Sequence, residues 1–271
     1  MGTVEPLVFD PVPDIRLIAV DMDGSLLDDE KRIHDDFWPL LDELARRDIL
    51  LCPASGRQYA TLRRQVGRDE LVYIAENGAY VVQHDEEISA DGLALGTARE
   101  AVRTVRDATD LDLGTVLCGK RSAYVERSDD AFLDQATPYY AKLQTVDDLL
   151  MVDDDVLKVA VYDFGSAATG AGPLLHRFDA MVSGEHWVDV MSPTADKGHA
   201  LRAVQETLGI TADHTMAFGD YFNDVGMLDA ASFSFAMDNA HPDVRAHARF
   251  VAPSNNANGV VRTIRSVLGL A

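Results

Sequence analysis

An apolar run, Ile18-Ala19-Val20, ends in Asp21-Met22-Asp23-Gly24-Ser25. A buried strand that stops at Asp-x-Asp-Gly sets two acids at the carboxyl edge of a sheet, where open α/β sheets bind their ligands. Two carboxylates so close repel each other unless a cation or a shared proton compensates. A hard divalent ion held by oxygen ligands is the simplest compensation. With it in place, Asp21 on a rigid strand can act as a nucleophile toward phosphorus. Asp23 is placed to be the acid/base, protonating a leaving alcohol and then taking a proton from attacking water. Its backbone carbonyl can still reach a metal. Gly24 lets the chain turn sharply and offers amides to a phosphate.

Strand and helix patterns alternate from this point, which predicts a doubly wound, Rossmann-like parallel sheet with helices on both faces. Ile15–Val20 reads as a strand, His34–Arg47 as a helix with Phe37, Leu40, Leu41 and Leu44 inward, and Ile49–Cys52 as a strand closed by Pro53. Tyr59–Val66 is a predicted helix, and Leu71–Ala75 with Tyr80–Gln83 a hairpin across Glu76-Asn77-Gly78. An acidic patch, His84-Asp85-Glu86-Glu87, interrupts the rhythm. The following α/β block, which includes a helix over Ala131–Leu143, has no Asp-x-Asp or Gly-Asp signature and reads as an inserted α/β domain over 85–186. The core, 1–84 and 187–271, resumes with strand Trp187–Met191, helix Lys197–Leu208, strand Thr215–Phe218 and helix Asn223–Ala231. Strand Phe233–Met237, helix His241–Ala248, strand Phe250–Ala252 and helix Gly259–Leu268 complete it.

Three further clusters sit at strand ends or helix starts. Ser55-Gly56-Arg57 follows the second strand, where a hydroxyl and the next amide form a small anion site; Ser55 as a plain N-cap is the competing reading. Arg57 is read as contacting substrate or pairing with a surface acid. Lys197 opens a helix after Asp196, against the macrodipole, which suggests a task such as neutralising phosphoryl oxygens and the acid pair. Phe218-Gly219-Asp220 ends another apolar strand, with Asn223 and Asp224 on the next first turn. Asp220 can complete a magnesium shell with Asp21. Asn223 can touch a phosphoryl oxygen, and Asp224 can join the metal or orient Lys197. Together these are the parts that phosphoryl transfer uses.

Charge bears on what such a site can bind. Asp and Glu number 45 against 24 Lys and Arg, a formal net charge of −21. Such a polyanion is not expected to bind nucleic acid or an anionic membrane surface, and it repels anionic substrates, so a phosphate site needs its own local positive charge. Cys52 and Cys118 form no metal or disulfide pattern. No apolar run approaches transmembrane length, and the first sixteen residues lack a signal peptide's basic and apolar regions. A cytoplasmic protein acting on a small phosphorylated metabolite is the expectation; the oligomeric state is not legible.

The set Asp21-Met22-Asp23-Gly24-Ser25, Ser55-Gly56-Arg57, Lys197-Gly198 and Gly219-Asp220-Tyr221-Phe222-Asn223-Asp224 resembles, in order and kind, the haloacid-dehalogenase-like hydrolase superfamily, and most closely its Cof-type branch. Glu76-Asn77-Gly78, Ala236-Met237-Asp238-Asn239-Ala240 and Ser254-Asn255-Asn256 resemble further motifs of that branch. The resemblance implies a Rossmann-like core, a mobile cap inserted between the second and third motifs, Mg²⁺, and a phospho-aspartyl intermediate on Asp21. It implies Asp21, Asp23, Asp220 and Asp224 as metal residues, and Gly24, Ser55, Gly56, Arg57, Asn77 and Asn223 as the phosphate-binding set. Ser25 and Ser55 stand where Thr is commoner, Tyr221 where a small residue is frequent, and Asp238 where Gly is usual. The expected activity is a Mg²⁺-dependent phosphatase for small phosphomonoesters, namely sugar or related metabolite phosphates. The alternatives are a phosphomannomutase-like phosphomutase and a non-enzymatic phospho-Asp switch. A mutase would present extra cations from the inserted domain, for which Arg99, Arg103, Arg106, Lys120, Arg121, Arg127, Lys142, Lys158 and Arg177 are the candidates.

Overall fold

The computed structural model describes residues 5–270. The chain divides into two compact units. The first comprises the described residues up to Ser55, Arg68–Ser89, and the chain from Asp196 onward; the second comprises Gly56–Gly67 and Ala90–Ala195.

The first unit is built on an eight-stranded sheet. Its strands are β1 (Leu17–Asp21), β2 (Leu50–Ala54), β3 (Val72–Ala75), β4 (Tyr80–Gln83) and β5 (Glu86–Ala90), then β12 (Thr215–Gly219), β13 (Phe233–Met237) and β14 (Phe250–Ala252). The order is β14-β13-β12-β1-β2-β3-β4-β5. From β14 to β3 the strands run parallel, and β4 returns antiparallel to β3. The chain winds from β1 toward β2 and β3, then restarts on β1's other side with β12. Strand order therefore reverses between β1 and β12, the place where such sheets open a crevice at their carboxyl ends.

Alternation along the strands builds the core. Leu17 and Ala19 of β1 pack in a buried cluster with Ala200, Leu201 and Val204 of α6 (Lys197–Leu208) and with Met227 and Leu228 of α7 (Val225–Asp229). The intervening Ile18 and Val20 are also fully buried, as a strand covered on both faces requires. Helix α1 (Phe37–Arg46) buries Phe37, Leu40, Leu41 and Leu44, the stripe read from its spacing, and packs against α9 (Gly259–Val267). Short α8 (Pro242–Arg245) precedes β14.

The second unit holds a six-stranded sheet of β6 (Leu113–Gly119), β7 (Ala123–Val125), β8 (Leu143–Thr145), β9 (Val156–Asp163), β10 (Met181–Val182) and β11 (Trp187–Met191), in the order β10-β11-β9-β6-β7-β8. Its helices are α2 (Tyr59–Val66), α3 (Leu95–Asp107), α4 (Asp130–Ala136) and α5 (Ala171–Leu175). One sheet face carries Val159, Val161, Val188 and Val190 against Ala98, Ala101 and Val102 of α3. The other carries Val116, Ala160 and Tyr162 with Phe132 and Ala136 of α4.

Several expectations are corrected. Trp187–Met191 does not resume the first sheet: it pairs antiparallel with β9. The stretch His84–Glu87 is a left-handed turn at His84 (φ 52°) and Asp85 (φ 61°) leading into β5. The second unit runs over Ala90–Ala195, and α2 groups with it. β5 is largely exposed, so it lacked the apolar alternation that marks a strand. Strand β2 runs through Pro53. The Leu50 amide donates to Arg16 beside β1 and the Ser55 amide to Ile74 of β3. Pro53's missing N–H therefore faces β3, whose register with β2 begins only at Ala54. The helix expected over Ala131–Leu143 ends at Ala136, because Pro138 cannot continue it. The segments expected as helices Asn223–Ala231 and His241–Ala248 shorten to α7, preceded by a 3₁₀ turn over Phe222–Asp224, and α8.

Gly198 sets how closely α6 and α7 approach. A Cβ there would lie 2.4 Å from the Gly226 carbonyl carbon and oxygen. We expect Gly198→Ala to lower the urea midpoint by about 1–3 kcal/mol of stability, the usual cost of overpacking against backbone. An unchanged midpoint would show that the two helices separate freely.

Candidate active site

Asp21 closes β1 and Gly219 closes β12, in parallel register with Val20 beside Phe218. Asp220 therefore leaves the sheet next to Asp21 at the switch point. Lys197 comes from the start of α6, whose N-cap Asp196 accepts from the amides of Gly198 (2.6 Å) and His199 (3.0 Å). The lysine is 1% exposed. Its Nζ donates to Asp21 Oδ1 at 2.5 Å and to Asp224 Oδ1 at 2.7 Å. Two carboxylates thus hold an ammonium at a helix N-terminus that would otherwise disfavour it.

Asp224 Oδ2 accepts the amides of Asp220 (2.9 Å) and Tyr221 (3.2 Å). Both of its oxygens are engaged, so Asp224 orients Lys197 and shapes the loop that carries Asp220. One carboxylate oxygen from each of Asp21, Asp220 and Asp224 lies within 4.8 Å of the others. Asp220 Oδ1 is buried with no hydrogen-bond partner. A buried, unsatisfied carboxylate oxygen is costly, and a hard cation removes the cost. An all-oxygen donor set suits Mg²⁺, so these residues fit the expected ion.

Electrostatics follow from three acids competing for one ammonium. Burial raises the Asp21 carboxyl well above the usual range; Asp224 adds to the rise and Lys197 opposes it. Burial, then the Asp224 charge, pushes Asp220 up to about 6. Burial works against the Lys197 charge, but Asp21 and Asp224 outweigh it and hold the ammonium above its ordinary value.

Asp23 sits apart from this acid cluster. Its side chain is 40% exposed and accepts from Lys31 Nζ at 2.8 Å; of the four acids expected to hold metal, its carboxylate is the one outside the group of three. Gly24 has φ +81°, and a Cβ there would lie 2.3 Å from Asp220 Oδ2; only glycine lets the turn pass so near the acid. The turn is held by Leu26 N donating to Asp21 O (3.1 Å) and Leu27 N to Met22 O (2.8 Å). Asn239 Nδ2 donates to the Gly24 carbonyl at 2.8 Å.

Ser55 follows Ala54, which lies beside Asp21 in register. It is buried, and its carbonyl accepts the Asn77 amide at 2.9 Å. Asn77 adopts φ 55° and accepts Asn223 Nδ2 on its Oδ1 at 3.2 Å. Ser55, Asn77 and Asn223 therefore form one chain of contacts. Gly56 and Arg57 fall in the second unit. Arg57 Nη1 donates to Gln65 Oε1 at 3.0 Å, along α2. Tyr221 is 58% exposed, and Asp238 pairs with Arg245 at 2.9 Å. Sequence reasoning assigned no part to Lys31. Its contact with Asp23 arises because Asp28–Ile33 folds back through a Leu27–Ile33 bridge, which no local motif announces.

A family model described as haloacid dehalogenase-like hydrolase matches residues 18–264. Over 263 residues the chain is 34% identical to the 5-amino-6-(5-phospho-D-ribitylamino)uracil phosphatase YbjI of Escherichia coli (strain K12), covering 94% of this chain and 96% of that protein. It is 25% identical to the 5-amino-6-(5-phospho-D-ribitylamino)uracil phosphatase YcsE of Bacillus subtilis (strain 168), covering 93% and 95%. A solved haloacid dehalogenase-like hydrolase from Bacteroides thetaiotaomicron shares the fold, with a TM-score of 0.84 at 21% identity over 93% of this chain and 99% of that one. No helix among the described residues is long and apolar enough to cross a membrane.

The Asp220 carboxyl is higher in the folded chain than in the unfolded one. The folded state therefore keeps the proton longer, and stability falls as pH rises from about 4 through about 6. Melting temperatures of metal-free protein across that range should show the fall, and Asp220→Asn should flatten it. An identical decline in both proteins would refute the assignment. Lys197→Met, which leaves Asp21 and Asp224 without their ammonium, should cost about 3–5 kcal/mol in metal-free urea unfolding.

Proposed function

We propose that this chain, which belongs to the haloacid dehalogenase-like hydrolases and is a phosphatase, hydrolyses small phosphomonoesters with Mg²⁺ through a phospho-aspartyl intermediate on Asp21. The observation that carries the reading is the Asp21–Lys197–Asp224 contact at the carboxyl end of β1, with Asp220 beside it. The names of the Escherichia coli and Bacillus subtilis relatives point to esters of a sugar alcohol, which supports sugar or related metabolite phosphates as the substrate class.

In the first step an Asp21 oxygen attacks phosphorus in line. The bond from phosphorus to the leaving oxygen breaks, and Asp23 gives that oxygen its proton. In the second, water attacks the acyl phosphate, Asp23 takes the water's proton, and the Asp21 carboxylate is released with inorganic phosphate. Lys197 neutralises the acids around the transferring group throughout, in a site where burial magnifies each charge. Ser55, with Asn77 and Asn223 linked behind it, supplies neutral donors to the phosphoryl oxygens. Asp21 and Asp220, with Asp224 alongside, would hold Mg²⁺, which supplies charge neutralisation at the phosphoryl oxygens when bound.

The cations that a mutase would need are largely engaged with acids. Arg106 pairs with Glu126 and Asp148, Arg121 with Asp154, Arg127 with Asp112 and Asp129, Arg177 with Glu100, and Lys120 with Asp155.

With p-nitrophenyl phosphate and Mg²⁺, Asp21→Asn should abolish turnover, and Asp23→Asn should slow both steps by about 10²–10⁴-fold. Inorganic phosphate should appear in a single turnover; transfer back to substrate without release would favour the mutase. Hydrolysis by Asp21→Asn at the wild-type rate would remove the nucleophile assignment. Mg²⁺ should raise the melting temperature of wild type and leave Asp220→Asn nearly unmoved. A panel of phosphate esters, 5-amino-6-(5-phospho-D-ribitylamino)uracil among them, would define the preferred leaving group.

A further inference from the structure

One buried charge in the second unit has no part in the chemistry above. Lys158 interrupts the apolar run of β9, the third strand of its six-stranded sheet, and every residue of that strand is buried. Its side chain is 4% exposed and lies 3.6 Å from Asp189 Oδ2 on neighbouring β11, itself 6% exposed. Desolvating such a pair costs enough that an ion pair buried only for stability is a poor bargain against apolar residues of the same volume. Lys158 has a second contact: Nζ donates to the Gly56 carbonyl at 3.0 Å. Asp189 thus supplies the counter-charge, and the ammonium grips a main-chain oxygen one residue past Ser55.

The rest of that segment is fastened within the same unit. Gln58 Nε2 donates to the Lys142 carbonyl (3.0 Å), and its Oε1 accepts the Lys142 amide (2.9 Å). Thr61 Oγ1 donates to the Tyr139 carbonyl (2.8 Å) and accepts the Ala141 amide (2.9 Å). On the other side of the turn, the Ser55 carbonyl is pinned by the Asn77 amide. Carbonyl and amide lie antiparallel across each planar peptide. Fixing the Ser55 and Gly56 carbonyls therefore fixes the directions of the Gly56 and Arg57 amides.

We propose that Lys158 is a positioning residue for the phosphoryl-binding turn, setting the direction of the Gly56–Arg57 peptide by holding the Gly56 carbonyl. The inference rests on the reading of Ser55, Gly56 and Arg57 as phosphoryl-binding residues, with the Arg57 amide among the donors. Its effect on the donors passes through the main chain.

The test compares Lys158→Met, Lys158→Arg, Asp189→Asn and Ser55→Ala with wild type in the Mg²⁺-loaded enzyme. The readouts are kcat and KM for p-nitrophenyl phosphate, Ki for inorganic phosphate, and amide hydrogen exchange over residues 55–58. Lys158→Met should raise KM and phosphate Ki together by about tenfold and leave kcat within about threefold, as loss of a charged hydrogen bond that orients a binding group predicts. Exchange over 55–58 should quicken, and Lys158→Arg should restore most of the phosphate affinity. A wild-type Ki in Lys158→Met, beside a raised Ki in Ser55→Ala, would overturn the inference and leave the reading of the turn standing. A wild-type Ki in Ser55→Ala would overturn both. Should Lys158→Met not fold, Asp189→Asn decides: it should raise Ki by about threefold, and no change would count against the proposal.

Discussion

The site depends on one ammonium held among acids that cannot share a small space without it. Asp21, Asp220 and Asp224 bring carboxylate oxygens within 4.8 Å of one another, and two of these residues are buried. Lys197, also buried, contacts Asp21 and Asp224 directly. Removing either side strands charge in a low-dielectric interior. In a chain with a net charge of −21, one ammonium against three carboxylates still leaves the site negative, so a divalent ion among Asp21, Asp220 and Asp224 would supply the remaining positive charge that a phosphate ester needs.

Main-chain geometry brings these groups together. Reversal of strand order beside β1 delivers Asp21 and Asp220 to one edge. Contact between Gly198 and Gly226 allows α6 to lie close enough to α7 for Lys197 to reach Asp224. At Gly24 the chain passes so near Asp220 that a methyl group would collide with its carboxylate. Each of these glycines is a distance constraint on the acidic groups and the lysine of the site.

Much of this was legible because the informative residues are local to strand ends. β1, β12, β13 and β14 were each marked by an apolar run, and Asp21 and Asp220 follow such runs directly. Lys197 was legible as an anomaly, a cation opening a helix behind an Asp N-cap, and its two carboxylate contacts explain the anomaly. The division of the chain was less legible. Trp187–Met191 has the pattern of a buried strand, but periodicity does not say which sheet will bury it. Exposed β5 offered no alternation to read. The sequence reading gives Asp21 and Asp23 different roles, but not the fold-back that brings Lys31 to Asp23.

Helix α2 shows how far such ambiguity can matter. Its sequence reads as the crossover that follows a Rossmann strand, and by connection it is one. By contact it belongs to the second unit, because Gln58 and Thr61 spend their side chains on main-chain groups of residues 139–142. Polar residues near the start of a crossover helix are ordinarily read as caps or solvent contacts. Here they hydrogen-bond main-chain groups of a non-helical stretch instead. The bond between Ser55 and Gly56 is thus both the middle of a short motif in the sequence and the point where the chain passes from one compact unit into the other. The Ser55 carbonyl accepts within the first unit, from the Asn77 amide, and the Gly56 carbonyl within the second, from the Lys158 ammonium.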